Sequence, residues 1–433
     1  MYIRSLKIEN LRAFNKARID LLYPGRPRSD GFEGVEPWPP RLPNVNIMLG
    51  TNGSGKSTIL AAAALVILAP IISSSGYRPY ALIRRSNRGK IKVAKLEAEL
   101  ALHEQDGAAQ ARGAEVREML ETIVARRGDT EQIQNKEVFG AIWDKMYREI
   151  NPAFLLVGYG ATRRVESAAA EDIGTLQRPR SLRYTRVTSL FEGHFALRPL
   201  NYWLPQLQRR NKGLYKQVVR LIDRLTPSDI SFEGKMVKGK GEYLFTHRTV
   251  SLPFGALSDG YKAYIGWVAD LLFHLTSGQT GDVKLTDSRG IVLVDEIDLH
   301  IHPAWQRTIV PKLARTLKNL QFIFTTHSPL VVGTLERVNI LAVERGRTGL
   351  ATIKRPDEEI FGLSADQILR SDTFGLDSTR DVNFQAELNQ ISRDASAGKP
   401  GAAVELMRQA AIGQGGSIKA ADAPPEWLKK LSQ

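Results

Sequence analysis

Runs of β-branched and aromatic residues recur along the chain and predict the strands of a buried sheet. They lie near residues 3–8, 17–22, 45–49, 91–102, 154–160, 291–294 and 322–327. Two other stretches have helical spacing: the apolar run 59–72, and residues 105–150, where for instance Val116, Leu120 and Val124 recur at four-residue intervals. Strands that alternate with helices indicate an α/β fold.

The distribution of these elements predicts one domain that is split by an insertion. A chain of 433 residues exceeds the usual size of a single hydrophobic core. We expect residues 1–104 and 251–345 to form the split domain, and residues 105–250 to form a largely helical, basic insertion with a return strand near 154–160. Residues 346–433 are polar, have helical spacing and contain no third core, so we expect a helical C-terminal tail that binds a partner.

A glycine-rich segment between the strand at 45–49 and the apolar run matches a phosphate-binding loop. It reads G-T-N-G-S-G-K-S over residues 50–57. In such a loop, glycines let backbone N–H groups surround the phosphates, and the lysine reaches the β and γ oxygens. We therefore expect Lys56 to bind the nucleotide and the Ser57 hydroxyl to ligate magnesium. The predicted nucleotide contacts here are Asn52, Gly53, Ser54, Gly55, Lys56, Ser57 and Thr58.

An apolar strand about 240 residues downstream ends in two acids, Asp295 and Glu296. In nucleotide hydrolysis, the first carboxylate of such a pair holds magnesium through water and the second polarises the attacking water. Alone, a strand that ends in two acids is a weak signal. Together with the phosphate loop, it indicates that the chain binds ATP and Mg²⁺ and hydrolyses ATP, with Asp295 as a metal residue and Glu296 as a catalytic residue.

The composition narrows the cellular setting. The chain has no cysteine, which excludes disulfides, thiol catalysis and cysteine-based zinc sites and fits a reducing cytoplasm. Residues 1–8 alternate like a strand and lack the apolar region of a signal peptide. The longest uncharged apolar run, residues 59–72, is too short to span a bilayer. We therefore expect a soluble, cytoplasmic protein without a membrane partner.

The formal net charge of +14 is concentrated in one region. Between Arg163 and Arg248 there are 17 Lys and Arg against 8 Asp and Glu. Such an excess suits a polyanion, because each neutralised phosphate releases counterions. No sequence-reading motif is visible, so nucleic acid bound through residues 163–248 would be contacted at its backbone. An ordinary solvated surface and a docking face for an acidic partner are the alternatives.

A further motif precedes a long apolar helix, about thirty residues before the Asp-Glu strand. It reads Leu257-Ser258-Asp259-Gly260-Tyr261-Lys262 and resembles the signature motif of ABC-type ATPases, in which the serine and glycine contact the γ-phosphate held by a second subunit. A hydroxyl and a backbone without Cβ let N–H groups approach an anion closely. Alone, Ser258 is more typical of a helix cap, but the order of the motifs favours Ser258, Asp259 and Gly260 as nucleotide contacts.

Four further segments make the resemblance more specific. They are Gly158-Tyr159-Gly160-Ala161-Thr162-Arg163-Arg164, the run from Ile291 to Trp305, Thr325-Thr326-His327-Ser328-Pro329, and the tail from Gly362 to Arg380. With these segments the chain resembles the bacterial ABC-type ATPases that include the ATPase subunits of the Septu and retron-associated anti-phage systems. The resemblance covers both ATPase lobes and leaves residues 165–250 to composition alone.

This resemblance implies an α/β fold, an ABC-type P-loop ATPase head with a mixed sheet and a signature-helix lobe. It also implies further site residues. His327 takes the place of the switch histidine on the γ-phosphate, Asp298 that of the D-loop, and Arg12 that of an early arginine near the phosphates. The usual Q-loop glutamine is not identifiable, because residues 159–164 occupy its region, so the second magnesium contact is in doubt. The SMC and Rad50 relatives separate their lobes with long coiled coils, whereas the shorter, Gly- and Pro-broken segment here predicts none.

The resemblance also implies composite sites, in which ATP on Lys56 of one subunit is capped by Ser258 and Gly260 of another. One full set of motifs predicts a homo-oligomer of head-to-tail dimers or larger assemblies that ATP closes and hydrolysis releases. We expect a sensor and scaffold of anti-phage defence that controls a separate effector, either a nuclease of HNH or Toprim type or another toxin. One alternative is a DNA-repair clamp similar to the RecF type. The other is a transporter ATPase, and the basic charge of the chain disfavours this transporter alternative.

Two other sets of residues suggest metal chemistry. His300 and His302 form a candidate metal pair, but the chain has no cysteine to complete a zinc site, and we interpret them as loop and subunit-contact residues. The acids after Glu344 show no strand-borne pairing of the kind that a metal-dependent nuclease needs. We therefore expect the chain not to be a nuclease itself.

Overall fold

The computed structural model describes most of the chain. The described residues are 1–30, 32, 35–85, 91–103, 106, 115–135, 147, 154–165, 181–193, 196–237, 241–277, 284–346 and 348–411. They divide into two compact units, Met1–Ala365 and Asp366–Gln433. The first unit contains the strands and every residue that the sequence predicts to bind nucleotide.

Sixteen strands lie in the described part of the first unit. They are β1 Tyr2–Leu11, β2 Phe14–Asp20, β3 Val45–Leu49, β4 Val93–Leu102, β5 Val116–Arg127, β6 Thr130–Asn135, β7 Leu156–Tyr159, β8 Arg164–Val165, β9 Ala196–Leu197, β10 Ile230–Met236, β11 Tyr243–His247, β12 Val250–Pro253, β13 Gly290–Val294, β14 Leu320–Thr326, β15 Ile340–Arg345 and β16 Ala351–Lys354. All seven strands that the hydrophobic pattern predicts are present, with ends shifted by a few residues.

Ten α-helices are found in the described residues. They are α1 Lys56–Ser74, α2 Leu182–Thr185, α3 Leu200–Arg210, α4 Lys212–Leu225, α5 Asp259–Thr276, α6 Pro303–Thr316, α7 Pro329–Val332, α8 Ala365–Arg370, α9 Val382–Ser396 and α10 Ala402–Ala411. Helix α5 is the long helix predicted after the signature motif. Helices α9 and α10 pack against each other in the second unit.

A six-stranded sheet forms the centre of the first unit, in the order β16-β15-β3-β14-β13-β7. Its strands are parallel except β16, which pairs antiparallel with β15. Strands β3, β13 and β14 are buried along their whole length, as expected for a parallel sheet that is covered on both faces. Because these strands run in the same direction, the phosphate loop, the two acids and His327 follow them at one edge of the sheet.

Helix α1 fills the space between this sheet and a second one. The second sheet is antiparallel, with the order β2-β1-β4-β5-β6, and α1 contacts strands of both sheets. This position explains why the helix is apolar on every side rather than on one stripe. By length and composition α1 is the one helix among the described residues that could cross a bilayer, but 78% of its apolar window is buried inside the protein. Its 19 residues exceed the uncharged run of the sequence because the phosphate loop contributes its first turn.

A smaller lobe follows, made of α3, α4 and the three-stranded sheet β10-β11-β12. Asn211 caps α4 by accepting a hydrogen bond from the Leu214 backbone N–H at 2.9 Å. The buried face of α4 consists of Leu214, Val218, Leu221, Ile222 and Leu225. This lobe packs on α5 and α6, so it is attached to the helix that carries the signature motif.

The helical interpretation of residues 116–124 is wrong, because this segment forms the twelve-residue strand β5. Its inner face carries Glu118 and Thr122 beside Leu120 and Val124. The two polar residues hide the alternation that marks a strand, whereas the spacing of the remaining apolar residues also fits a helix. The β-branched residues 122–124 favour the strand.

Two other expectations about the organisation of the chain also change. The predicted insertion 105–250 is mixed rather than largely helical, since β5 and β6 extend the antiparallel sheet and β10–β12 form a sheet of their own. The expected tail from 346 begins later, because β16 pairs with β15 and the boundary between the units falls after Ala365. Several residues of the basic region 163–248, which the sequence predicts to bind a polyanion, lie outside the described residues; Arg178 and Arg180 are examples.

Candidate nucleotide site

The phosphate loop connects β3 to α1, and its glycines stand where no side chain fits. Gly55 has φ 113°, and a Cβ there would lie 2.7 Å from the Phe14 ring. At Gly50 a Cβ would lie 2.2 Å from the Val343 carbonyl oxygen. The side chain of Lys56 folds back over the loop, and its Nζ donates to the carbonyl oxygens of Gly50 at 2.8 Å and Thr51 at 3.0 Å. These two hydrogen bonds fix the ammonium group of Lys56 against the backbone of the loop.

The loop opens into a cavity of about 650 Å³. Predicted site residues among its lining are Arg12, Asn52, Gly53, Gly55, Lys56, Ser57, Thr58, Glu296 and His327. The structure thus brings together residues from four distant parts of the chain. Ser54 is fully buried in the turn, and its hydroxyl has no hydrogen-bond partner among the described residues.

The electrostatics of the cavity suit a polyanion. Burial lowers the pKa of Lys56, and the carboxylates of Asp295, Glu296 and Asp298 oppose this effect without cancelling it. The pKa of His327 is lowered by burial and by the neighbouring charge of Lys56. The charge of Lys56 is thus not fully compensated by the nearby carboxylates, and a triphosphate would supply further negative charge.

Asp295 and Glu296 differ in their surroundings. Asp295 is buried, and it accepts a hydrogen bond from the Thr325 hydroxyl at 2.5 Å. Glu296 is half-buried and lines the cavity, and its backbone N–H donates to the same hydroxyl at 2.7 Å. Its backbone has φ 48°, a left-handed conformation that is uncommon for glutamate. One threonine on β14 therefore fixes both acids.

The oxygen donors present fit magnesium. Ser57 and Asp295 offer a hydroxyl and a carboxylate, which are the hard ligands that Mg²⁺ prefers, and Mg²⁺ commonly completes its shell with phosphates and water. No group of three or more His, Asp or Glu among the described residues could hold a metal ion without such help. These donors therefore suit a metal that arrives with a nucleotide.

The predicted D-loop residue lies close by. The Thr326 hydroxyl donates to the carboxylate of Asp298, and the Asp298 charge contributes to the field at both Lys56 and His327. His302 belongs to the same loop, and its Nδ1 accepts a hydrogen bond from the Ala304 N–H at 3.2 Å, so it caps α6. This is a structural role for His302 rather than that of a metal ligand.

The signature residues lie elsewhere in the subunit. Ser258 and Gly260 line a separate cavity of about 670 Å³, together with His300 and Trp305. The Ser258 side chain makes no capping hydrogen bond to α5, so its hydroxyl remains available to a ligand. A Cβ at Gly260 would lie 2.9 Å from the His300 carbonyl oxygen. Asp259 is exposed and pairs with Lys262 at 2.8 Å.

Three arginines that belong to no predicted nucleotide motif also line the nucleotide cavity. Arg84, Arg85 and Arg345 add three guanidinium groups to that of Arg12. Arg345 is the last residue of β15, which is adjacent to β3, so the register of the sheet places it beside the phosphate loop. Arg84 and Arg85 begin a basic run in the sequence, Arg84-Arg85-Ser86-Asn87-Arg88-Gly89-Lys90, which suits a polyanion but does not indicate this cavity. Arg345 matches no motif, and the order of strands in the sheet is the signal that could have found it.

Two family models match the chain. One is described as "AAA domain" and covers residues 5–148; the other is described as "AAA domain, putative AbiEii toxin, Type IV TA system" and covers residues 165–333. Among solved structures, an SMC head bound to the C-terminal winged-helix domain of ScpA has a TM-score of 0.50, with 15% identity over 82% of this chain and 98% of that chain. At this identity the likeness supports the fold alone.

Curated relatives carry the resemblance further. The retron Ec83 probable ATPase of Escherichia coli is 42% identical over 26% of this chain and 21% of its own length. A Septu protein PtuA of Bacillus mycoides is 25% identical over 88% of this chain and 46% of its own length. The chain is an ABC-type ATPase similar to those of anti-phage systems. The retron Vc95 probable ATPase of Vibrio cholerae is 47% identical over 26% of this ABC-type ATPase and 22% of its own length. The matches span less than half of the length of these relatives.

Proposed function

We propose that this ABC-type ATPase hydrolyses ATP at sites that a second copy of the chain completes. The observation that carries the proposal is the separation of the motifs into two cavities: Lys56 lines one, and Ser258 and Gly260 line the other. The uncapped hydroxyl of Ser258 at the N-terminus of α5 suits a phosphate, but no residue of the phosphate loop is among the lining residues of its cavity. A head-to-tail dimer, or a larger homo-oligomer built from such dimers, would bring the two half-sites together.

In this proposal the residues divide the chemistry. Lys56 and Arg12 bind the phosphates, and Ser57 and Asp295 hold the magnesium, which neutralises charge on the β- and γ-phosphates when it is bound. Glu296 accepts the proton of the attacking water, and His327 donates a hydrogen bond to the γ-phosphate. Asp298 orients the loop that faces the other subunit. The left-handed backbone at Glu296 supports its role, because strain of this kind concentrates at functional sites.

We propose that ATP-driven association makes the chain a cytoplasmic sensor and scaffold of an anti-phage system. A separate effector, a nuclease of HNH or Toprim type or another toxin, would be held inactive by the assembly. The names of the relatives support a defence role. The second unit is the proposed effector contact, since Val382 and Met407 are 81% and 73% exposed there.

Co-expression with the product of the adjacent gene tests this arrangement. We expect the two proteins to co-purify, and we expect the composition of the complex to change when ATP is added. Val382→Glu combined with Met407→Glu should release the adjacent protein and leave ATP turnover within about twofold, because both side chains are exposed. Met119→Glu, at another exposed apolar position, is the matched control. Co-purification that survives the double substitution would contradict the assigned contact, and failure of the wild-type pair to associate would contradict the scaffold.

We further propose that α4 contacts nucleic acid through the phosphate backbone. Lys212, Lys216, Arg220 and Arg224 follow one another at four-residue intervals, so they rise about 6 Å per step along one side of the helix. All four are exposed, and none forms an ion pair with a described residue. The apolar side of the helix is packed into the protein, which leaves the cations facing solvent. A row of unpaired cations favours a linear polyanion over a compact acidic protein.

Replacing the four cations of α4 by glutamine should weaken DNA binding at least about tenfold in 100 mM salt. It should also lower the slope of log K against log salt by about 3, since each phosphate contact contributes about 0.7 to 0.9. Fluorescence anisotropy with labelled single-stranded and duplex oligonucleotides measures both quantities. A control with the same charge change replaces Lys16, Arg78, Lys92 and Arg127, which are also exposed. Equal losses in both variants would indicate non-specific attraction and contradict the assignment to α4.

A further inference from the structure

An arginine to which the sequence assigns no role binds the turn that carries the two acids. The guanidinium of Arg163 donates from Nη1 to the carbonyl oxygen of Asp295 at 2.6 Å and from Nη2 to that of Glu296 at 2.7 Å. The planar fork of an arginine can span two adjacent acceptors, which the single ammonium of a lysine cannot do in the same way. Arg163 lies in the region where the sequence shows no Q-loop glutamine.

The turn needs such support. Glu296 has φ 48°, and a left-handed non-glycine residue costs of order 1–3 kcal/mol unless its surroundings fix it. Around it, the Glu296 N–H donates to the Thr325 hydroxyl at 2.7 Å, and the Glu296 carbonyl oxygen accepts from the Leu299 N–H at 3.0 Å. Without Arg163, the carbonyl oxygen of Asp295 would lose its charged donor. The carbonyl oxygen of Glu296 would lose one of its two donors and keep the Leu299 N–H. The backbone of the turn would then be held less firmly, and the direction of the Glu296 carboxylate toward the cavity would be less well fixed.

The segment that carries Arg163 is itself held in place. It follows β7, where the backbone carbonyl oxygen of Tyr159 accepts a hydrogen bond from the Asp295 N–H at 2.8 Å. The Tyr159 hydroxyl donates to the buried carboxylate of Asp270 on α5 at 2.8 Å, and that carboxylate also accepts from the Arg198 N–H at 3.0 Å. Burial would raise the pKa of Asp270, but His274 and these hydrogen bonds hold it below its ordinary value. The segment that carries Arg163 therefore follows a strand that is hydrogen-bonded to the signature helix.

We propose that Arg163 is a positioning residue for ATP hydrolysis, which fixes the turn at Asp295 and Glu296 so that the Glu296 carboxylate faces the attacking water. This inference rests on the proposed hydrolysis at Glu296 and adds to it a residue that is not among the lining residues of the nucleotide cavity. Burial lowers the pKa of Arg163 to about 10, against the attraction of the nearby acids, so the group remains a cation at neutral pH. Arg163 contributes by fixing the position of the Glu296 carboxylate. A displacement of a catalytic group by about 1 Å can lower the rate about 10²-fold.

Arg163→Met should lower kcat about 30- to 100-fold and leave the Kd for a non-hydrolysable ATP analogue within about twofold. Arg163→Lys should recover part of the lost kcat, because one of the two carbonyl contacts can be restored. Arg186→Met is the matched control: Arg186 is a buried arginine of the same unit, and its guanidinium lies by the Ser277 carbonyl oxygen instead. It should leave kcat within about threefold.

A double-mutant cycle separates positioning from a structural effect. In a Glu296→Gln background, Arg163→Met should cause no further loss of turnover, since the group that it positions is already gone. An unchanged kcat, a loss confined to nucleotide affinity, or an additive loss in the double variant would each overturn the inference. If Arg163→Met does not fold, Arg163→Lys carries the same comparison. Absence of turnover in the wild-type protein would instead contradict the proposed hydrolysis, so the two failures are distinguishable.

Discussion

Glu296→Gln is expected to reduce ATP turnover about 10²- to 10⁴-fold while ATP binding is retained. The substitution keeps the size of the side chain and removes the proton acceptor, whose contribution as a general base is of this order. The backbone contacts of residue 296 to Thr325 and Arg163 do not involve the carboxylate, so the turn should keep its form. Phosphate release under saturating ATP, with nucleotide affinity measured separately, tests the expectation.

The same variant should accumulate the ATP-bound oligomer, because association precedes hydrolysis in the proposed cycle. Analytical ultracentrifugation with ATP and magnesium would show a larger species for Glu296→Gln than for the wild-type protein. Glu233→Gln removes a carboxylate that is 59% exposed and pairs with Lys235, so it is the control for a loss of one negative charge. Turnover that persists in Glu296→Gln would mean that another group activates the water.

Lys56→Ala is expected to abolish ATP binding in the micromolar range. Lys56 is buried, and its Nζ is held between the carbonyl oxygens of Gly50 and Thr51, at the entrance of the nucleotide cavity. Hydrogen bonds to a charged group contribute about 1.5–3 kcal/mol each, so the loss of one cation against a triphosphate should weaken the affinity about 10²-fold or more. Calorimetry with ATP measures this change. Lys312→Ala replaces another lysine whose pKa burial lowers, and it should leave ATP affinity unchanged.

Lys56→Ala should lower ATP affinity, but it should not lower the thermal stability of the nucleotide-free protein. The pKa of Lys56 is lower in the folded protein than in the unfolded chain, so below that folded pKa the buried charge destabilises the fold. As pH rises from the folded toward the unfolded pKa, the unfolded chain binds more protons and this penalty disappears. The Tm of Lys56→Ala without nucleotide should therefore equal or exceed that of the wild-type protein at pH 7, and the difference should shrink toward pH 10. A Tm well below that of the wild-type protein would indicate a structural role for the lysine.

Three residues of the nucleotide cavity could be predicted because each lies in a local pattern that follows a parallel strand. Lys56, Glu296 and His327 follow β3, β13 and β14, and the common direction of these strands brings them to one edge. Arg163 could not be assigned in the same way, because its partners are backbone carbonyls more than 130 residues away. A carbonyl has no residue type, so no sequence pattern marks it as an acceptor.

The predictions about the fold that were wrong also depend on particular strands. Strand β5 carries Glu118 and Thr122 on its inner face, where an apolar residue would have shown the alternation. Strand β16 is short and half exposed, and its pairing with β15 is what places it in the ATPase body rather than in the tail. The separation of Ser258 from Lys56 into two cavities is likewise a property of the folded chain.

The composite site is tested most directly by mixing two inactive variants. Lys56→Ala lacks the phosphate contact and Ser258→Arg blocks the signature surface, so neither protein should hydrolyse ATP alone. In an equimolar mixture half of the dimers contain one of each, and each such dimer has one site with both parts intact. We predict that ATP turnover in the mixture rises to about a quarter of the wild-type rate. Turnover that stays at the sum of the two separate variants, or full activity of Ser258→Arg alone, would contradict a site completed by a second copy.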